Sequence, residues 1–186
     1  VEPVDDAAEQ RLVGGLEQLL VPGLVGARFA PHRQAGEMGQ GAAGALARRG
    51  GEDGAHLVVF PESFVPGYPD WVWRTPAWRD TKFAQRLYAN AVPVPGPTLQ
   101  RIAESAAEMS VYVVIGVTEI DGGTLYNTLL YIGPDGSLLQ RHRKLMPTGG
   151  ERTVWGMGDG SELGVVSTPF GVIGGLLCWE NYMPLA

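Results

Sequence analysis

The sequence predicts an α/β protein of α+β pattern, with a sheet covered by helices on one face. Three observations predict it. A short apolar run at 56–60 stops at Pro61, as a buried strand does. One amphipathic helix follows, with Leu99, Ile102, Ala103, Ala106 and Met109 on one side and Arg101, Glu104 and Glu108 on the other. After it come β-branched segments separated by the turns Asp121-Gly122-Gly123 and Gly133-Pro134-Asp135-Gly136. The chain has 186 residues, enough for a single domain with its own core.

In chain order, residues 1–54 stand apart. They hold eleven Gly and nine Ala and few β-branched residues. Two stretches, 11–21 and 41–49, could form weak helices, since each internal glycine costs about 1 kcal/mol relative to alanine. No strand-like run precedes His56, so 1–54 reads as a poorly ordered segment and 55–186 as the folded portion. Residues 61–79, rich in Pro and Trp, read as a long structured loop, and 80–90 as a helix. Pro93, Pro95 and Pro97 exclude regular structure before the helix ending near Ser110. Strands are expected at 111–120, 124–132 and 137–145, then a glycine-rich loop at 146–162. A last hairpin pairs 163–168 with 172–178.

Composition narrows the function. The net charge is −6, from 14 Lys+Arg against 20 Asp+Glu. An acidic balance without a basic cluster argues against nucleic acid or an anionic membrane as partner. No stretch approaches the roughly 18 apolar residues of a membrane span, and no secretory pattern opens the chain. The single cysteine, Cys178, excludes an internal disulfide framework and suits a reducing, cytoplasmic compartment. His32, His56 and His142 are too widely spaced to form a metal cluster with it. Lysine occurs only at Lys82 and Lys144, beside twelve arginines.

Three strand-end residues could carry chemistry. Cys178 closes the run Gly171-Val172-Ile173-Gly174-Gly175-Leu176-Leu177, and a nucleophile there could face a pocket with free backbone N–H groups nearby. Its ordinary reading is an inert core cysteine. A thiol needs a base, and none of the three histidines is a convincing one: His142 lies between Arg141 and Arg143. Glu62, directly after the strand at 56–60, is the best-placed carboxylate, although most glutamates simply face solvent. Lys144 could stabilise a developing anion, or could be one solvated member of the run Arg141-His142-Arg143-Lys144. Glu151 follows seven residues later, and could equally form a surface pair with Arg152.

Taken together these residues carry a family resemblance. Phe60-Pro61-Glu62 with Val65-Pro66-Gly67-Tyr68-Pro69-Asp70-Trp71 resembles the first block of the nitrilase (carbon–nitrogen hydrolase) superfamily. Arg143-Lys144-Leu145-Met146-Pro147-Thr148, with Glu151-Arg152 and Trp155-Gly156, resembles its lysine block. Gly174-Gly175-Leu176-Leu177-Cys178-Trp179-Glu180-Asn181-Tyr182-Met183-Pro184 resembles its nucleophile block. The blocks occur in family order over 56–186, and the Cys-Trp-Glu-Asn and Gly-Tyr-Pro-Asp-Trp segments look more like the true nitrilases than the amidases or carbamoylases.

The resemblance implies a four-layer α-β-β-α sandwich and a Glu62–Lys144–Cys178 triad, with Glu151 positioning Lys144 or the hydrolytic water. It implies a small nitrile as substrate, carboxylic acid and ammonia as products, and neither metal nor organic cofactor. Tyr68, Trp71, Trp155 and Trp179 become candidates for lining the substrate pocket. Family members are usually homo-oligomers and continue well past the nucleophile. The chain is therefore expected to be the N-terminal portion of such a domain, ending eight residues after Cys178, with exposed strand edges and an uncovered apolar face. Two alternatives are an amidase or carbamoylase of the same superfamily, and an inactive fragment of such an enzyme.

Overall fold

The computed structural model describes residues 24–26 and 37–186. Its centre is a six-stranded mixed sheet. The strands are β1 (Leu24–Gly26), β2 (Leu57–Val59), β3 (Val92–Pro93), β4 (Tyr112–Asp121), β5 (Thr124–Ile132) and β6 (Leu138–Arg143). The order is β1-β2-β4-β5-β6, with β3 pairing the far end of β4. The pairs β1–β2 and β2–β4 are parallel, whereas β4–β5 and β5–β6 are antiparallel. The helices are α1 (Glu37–Glu52), α2 (Thr81–Ala89) and α3 (Pro97–Met109). A separate hairpin joins β7 (Val166–Thr168) to β8 (Gly171–Ile173).

Local chemistry explains the best-formed elements. Pro97 stands at the start of α3, where a missing N–H costs nothing, and Ser110 ends it in the left-handed conformation at φ 53°. The β4–β5 turn has Gly122 and Gly123 at φ 54° and 86°, as a two-residue hairpin of matching twist requires. Strand β4 is a β-branched run whose alternate residues face opposite layers. Val113, Ile115 and Val117 join Val58, Leu130 and Ile132 beneath the helices, where Ala43, Ala47, Ile102 and Ala106 meet them. Leu57, Val114, Leu129 and Tyr131 face the other way, onto Val166 and Leu177. The sheet thus has helices on one face and the β7–β8 segment on the other.

Several expectations need correction. A strand, β1, precedes His56; three residues were too few to show as a pattern, and only parallel pairing with β2 defines them. The helix expected at 41–49 does form, within the longer α1, whose small residues Ala43 and Ala47 pack in the core. Val92–Pro93 makes a short strand despite the prolines, because it lies at the end of β4 where pairing is sparse. The expected strand to Cys178 ends at Ile173, and Cys178–Tyr182 is a single 3₁₀ turn. The helix expected at 11–21 and His32 lie outside the described residues. No helix among the described residues is long and apolar enough to cross a membrane.

Around the β7–β8 hairpin and the Cys178–Tyr182 turn, several large apolar side chains face solvent. Val165, Phe170, Val172, Trp179, Tyr182 and Leu185 are all exposed.

Candidate active site

The site grows from the alternation of β6. Arg141 and Arg143 point to one face and bond the fully buried carboxylate of Glu119 at 2.8 and 2.6 Å. His142 and the following Lys144 point to the other face. The run that resembles a solvated basic stretch is therefore split between two interior clusters. Lys144 is 1% exposed. Its backbone continues the ladder, donating from N to the carbonyl of Asn127 at 2.8 Å.

Lys144 Nζ lies between two carboxylates, 2.8 Å from Glu62 Oε1 and 2.8 Å from Glu151 Oε2. Burial alone would lower the proton affinity of this ammonium. The bonds to Glu151 and Glu62 outweigh it and hold the pKa above its ordinary value, so Lys144 is a fixed positive charge. Glu151 is 2% exposed and fully engaged. Its Oε2 also accepts from the Thr148 backbone N–H at 2.7 Å, capping its own 3₁₀ turn, and its Oε1 accepts from the Tyr68 hydroxyl at 2.7 Å. Tyr68 in turn accepts from Trp73 Nε1 at 2.9 Å. Burial, then the bond to Glu151, pushes the Tyr68 pKa up, so the phenol stays protonated and continues to donate. The surface pair with Arg152 is not formed; Arg152 donates to the Pro147 carbonyl instead.

Glu62 is the more accessible carboxylate, with about a quarter of its side chain open (23%). Asn127 Nδ2 donates to its Oε1 at 2.5 Å, so two donors meet on one oxygen and Oε2 has no partner among the described residues. The loop carrying Glu62 lies directly on β4 at Gly116. A Cβ there would stand 2.5 Å from Ser63 N, 2.6 Å from the Pro61 carbonyl oxygen and 2.7 Å from Glu62 Cα. Ser63 itself takes φ 50° and bonds Thr118 across the strand at 3.1 Å.

Cys178 is exposed and has φ 54°, a left-handed conformation costly for a residue with a side chain. No hydrogen bond joins its thiol to Glu62 or Lys144 among the described residues. What connects the two regions is Glu180. Its carboxylate, at 0% exposure, accepts from Leu145 N and Leu177 N, both at 2.7 Å, and from His142 Nε2 at 2.9 Å. Leu145 follows Lys144 and Leu177 precedes Cys178, so one carboxylate ties the lysine strand to the cysteine turn.

The structure brings Glu62, Lys144, Glu151 and Tyr68 into one network. Trp155 packs edge-on to Tyr68, with ring centroids 5.7 Å apart, and is buried. Trp71 stacks on Phe83 and, with Tyr68, lines a cleft of about 340 Å³ that also includes Arg86 and Asn90. Neither Glu62 nor Cys178 is among the residues lining that cleft. Trp179 is 59% exposed and leans on Tyr182. Sequence reasoning missed Asn127 and the His142–Glu180 pair. An asparagine inside a β-branched strand was one available signal, and an acidic residue three positions after Leu177 was another. Among the described residues no three His, Cys, Asp or Glu side chains converge as a metal site.

A buried lysine between two carboxylates thus stands at the end of one strand of a mixed sheet, tied through Glu180 to a cysteine in a left-handed turn. The chain belongs to the carbon–nitrogen hydrolase family, whose model matches residues 31–186. It is 50% identical over 147 residues to an aliphatic nitrilase of Sinorhizobium fredii, covering 75% of this chain and 47% of the relative. To nitrilase 2 of Arabidopsis thaliana it is 44% identical over 146 residues, covering 71% of this chain and 40% of that protein. The chain thus spans less than half the length of these curated relatives. The fold matches an amidase from Nesterenkonia sp. with TM-score 0.63 at 17% identity, covering 88% of this chain and 59% of the other. Nit3 of Saccharomyces cerevisiae, a nitrilase-superfamily member, gives TM-score 0.61 at 20% identity, covering 82% and 54%. The fold class expected from the sequence is the one these structures share.

Proposed function

We propose that this chain carries the catalytic residues of a nitrilase, converting an organic nitrile to its carboxylic acid and ammonia. The observation that carries the reading is the Glu62–Lys144–Glu151 network joined to the Cys178 turn. The identity to nitrilases favours nitriles over other carbon–nitrogen substrates.

In the proposed mechanism Glu62, through Oε2, which has no partner among the described residues, takes the thiol proton of Cys178. The thiolate sulfur attacks the nitrile carbon; a C–S bond forms, one C–N π bond opens, and the nitrogen receives the proton from Glu62. The product is a thioimidate. Lys144 and the backbone N–H of Trp179 stabilise the negative charge that develops on nitrogen, and later on oxygen. Water then adds to the thioimidate carbon. The C–N bond breaks, ammonia leaves, and a thioester remains. A second water cleaves the C–S bond, which releases the acid and restores the thiol. Glu151 and Tyr68 keep Lys144 in place and charged throughout. Every step uses side-chain and backbone groups of the chain and water. The substrate partner is a small nitrile, and a homo-oligomer in the cytoplasm is the proposed assembly.

The test is ammonia release from a panel of nitriles and their matching amides, with Cys178→Ala as control. Release from nitriles that vanishes in the variant supports the reading. Release from amides alone would replace it with an amidase or carbamoylase. No release from any substrate would make the chain an inactive portion of such an enzyme.

A further inference from the structure

We propose that Glu180 and His142 form a positioning clamp, which holds the left-handed Cys178 turn at the end of the lysine strand. The proposal rests on Cys178 being the nucleophile, and it concerns two buried titratable residues to which the mechanism above gives no role.

Three features support it. First, Glu180 has no exposure, and its bonds all run to groups next to the reactive residues: Leu145 N beside Lys144, Leu177 N beside Cys178, and His142 two positions before Lys144. A carboxylate only accepts, so each of these N–H groups donates to it. Second, the turn it closes is strained. Cys178 at φ 54° would relax if the turn were released, and the Glu180 backbone N–H donates to the Leu177 carbonyl at 3.1 Å to close the same turn. Third, His142 is itself buried and points from the same face of β6 as Lys144. Its Nε2 sits 2.9 and 3.1 Å from the two carboxylate oxygens, so the imidazole fixes the orientation of both. The histidine that sequence reasoning rejected as a base thus has a different task. It keeps the carboxylate aimed at two backbone amides, and through them sets the distance between the thiol and Lys144.

The test uses the full chain with His142→Leu, which removes the donor and keeps apolar volume, and His142→Gln, whose amide nitrogen can reach the position of Nε2. Two readouts are taken. In steady-state ammonia release, His142→Leu lowers kcat by about 10–100-fold with KM within about threefold, and His142→Gln recovers most of kcat. In amide hydrogen exchange, Leu145 and Leu177 exchange slowly and together in the unmodified chain. Both speed up by about tenfold in His142→Leu and slow again in His142→Gln. The exchange readout needs no turnover, so absence of nitrile hydrolysis would sink the proposed function while leaving the clamp to be decided by exchange. Where His142→Leu fails to fold, the unmodified chain decides: fast, unlinked exchange of Leu145 and Leu177 there overturns the clamp. So does a folded His142→Leu with unchanged exchange at both amides.

Discussion

Gly116→Ala is the sharpest structural test of how Glu62 is placed. Gly116 pairs with Leu129 within the sheet, and its carbonyl accepts from Val65 N at 3.3 Å, so the strand itself cannot move away. The added methyl would meet three backbone atoms of the Glu62 loop at 2.5–2.7 Å. Ordinary carbon contacts need about 1 Å more. No flexible side-chain end is available to yield, so the loop must lift by roughly that amount. Overpacking of this kind costs about 1–3 kcal/mol, or a thermal midpoint lowered by roughly 3–10 °C for a chain of this size. A displacement of about 1 Å at a reacting group costs on the order of 100-fold in rate. The assay is kcat for ammonia release together with differential scanning fluorimetry. Gly41→Ala is the matched control: its Cβ meets nothing within 4 Å on α1, and it should stabilise the helix by up to about 1 kcal/mol without changing turnover. A Gly116→Ala protein with wild-type midpoint and kcat within about twofold would refute the placement.

Three further predictions concern the same network. Lys144→Met leaves Glu62 and Glu151 facing each other without their shared cation; it should abolish turnover and lower stability by about 3–5 kcal/mol in urea denaturation. Asn127→Leu removes a donor from Glu62 while keeping the backbone bond to Lys144, and should lower kcat by about 10–100-fold with little loss of thermal midpoint. Glu180 gives a pH dependence. Burial opposes its ionisation, but the bonds from His142, Leu145 and Leu177 outweigh burial and hold its pKa below the ordinary 4.5. A depressed folded pKa contributes stability that is complete above the unfolded value and lost as pH falls through the folded one. Urea midpoints should therefore drop as pH falls from about 5 toward 3, and Glu180→Gln should show a smaller drop. An equal acid-side loss in the variant would contradict this and assign it to the surface carboxylates Asp121, Asp135 and Asp159, whose pKa values are also lowered.

Much of the core was legible because β4, β5 and α3 announce themselves through period and turn chemistry. The β-branched run at 112–121, the Gly122-Gly123 turn and the Leu99–Ile102–Ala106 spacing are all local signals. The residues Glu62, Lys144 and Glu151 were legible as blocks, although each alone looked like an ordinary surface charge. What stayed hidden depends on tertiary contact. Strand β1 has three residues and exists through its pairing with β2. The separation of Arg141 and Arg143 from His142 and Lys144 follows from the period of two, yet a run of four basic residues masks it; Glu119, a carboxylate within the largely apolar run of β4, was the cue that charges would be needed on that face. The cysteine turn was hidden because Gly174 and Gly175 look like strand interruptions, whereas they mark where the strand has already ended.

The most direct measurement is intact mass spectrometry of the chain quenched during incubation with a small nitrile. Cys178 is the only cysteine, so a thiol adduct can have only one site. The account predicts a species heavier by the full mass of the nitrile, the thioimidate, localised to Cys178 by peptide mapping, with ammonia released and both signals lost in Cys178→Ala. Ammonia released from the nitrile with no adduct, and undiminished in Cys178→Ala, would contradict it.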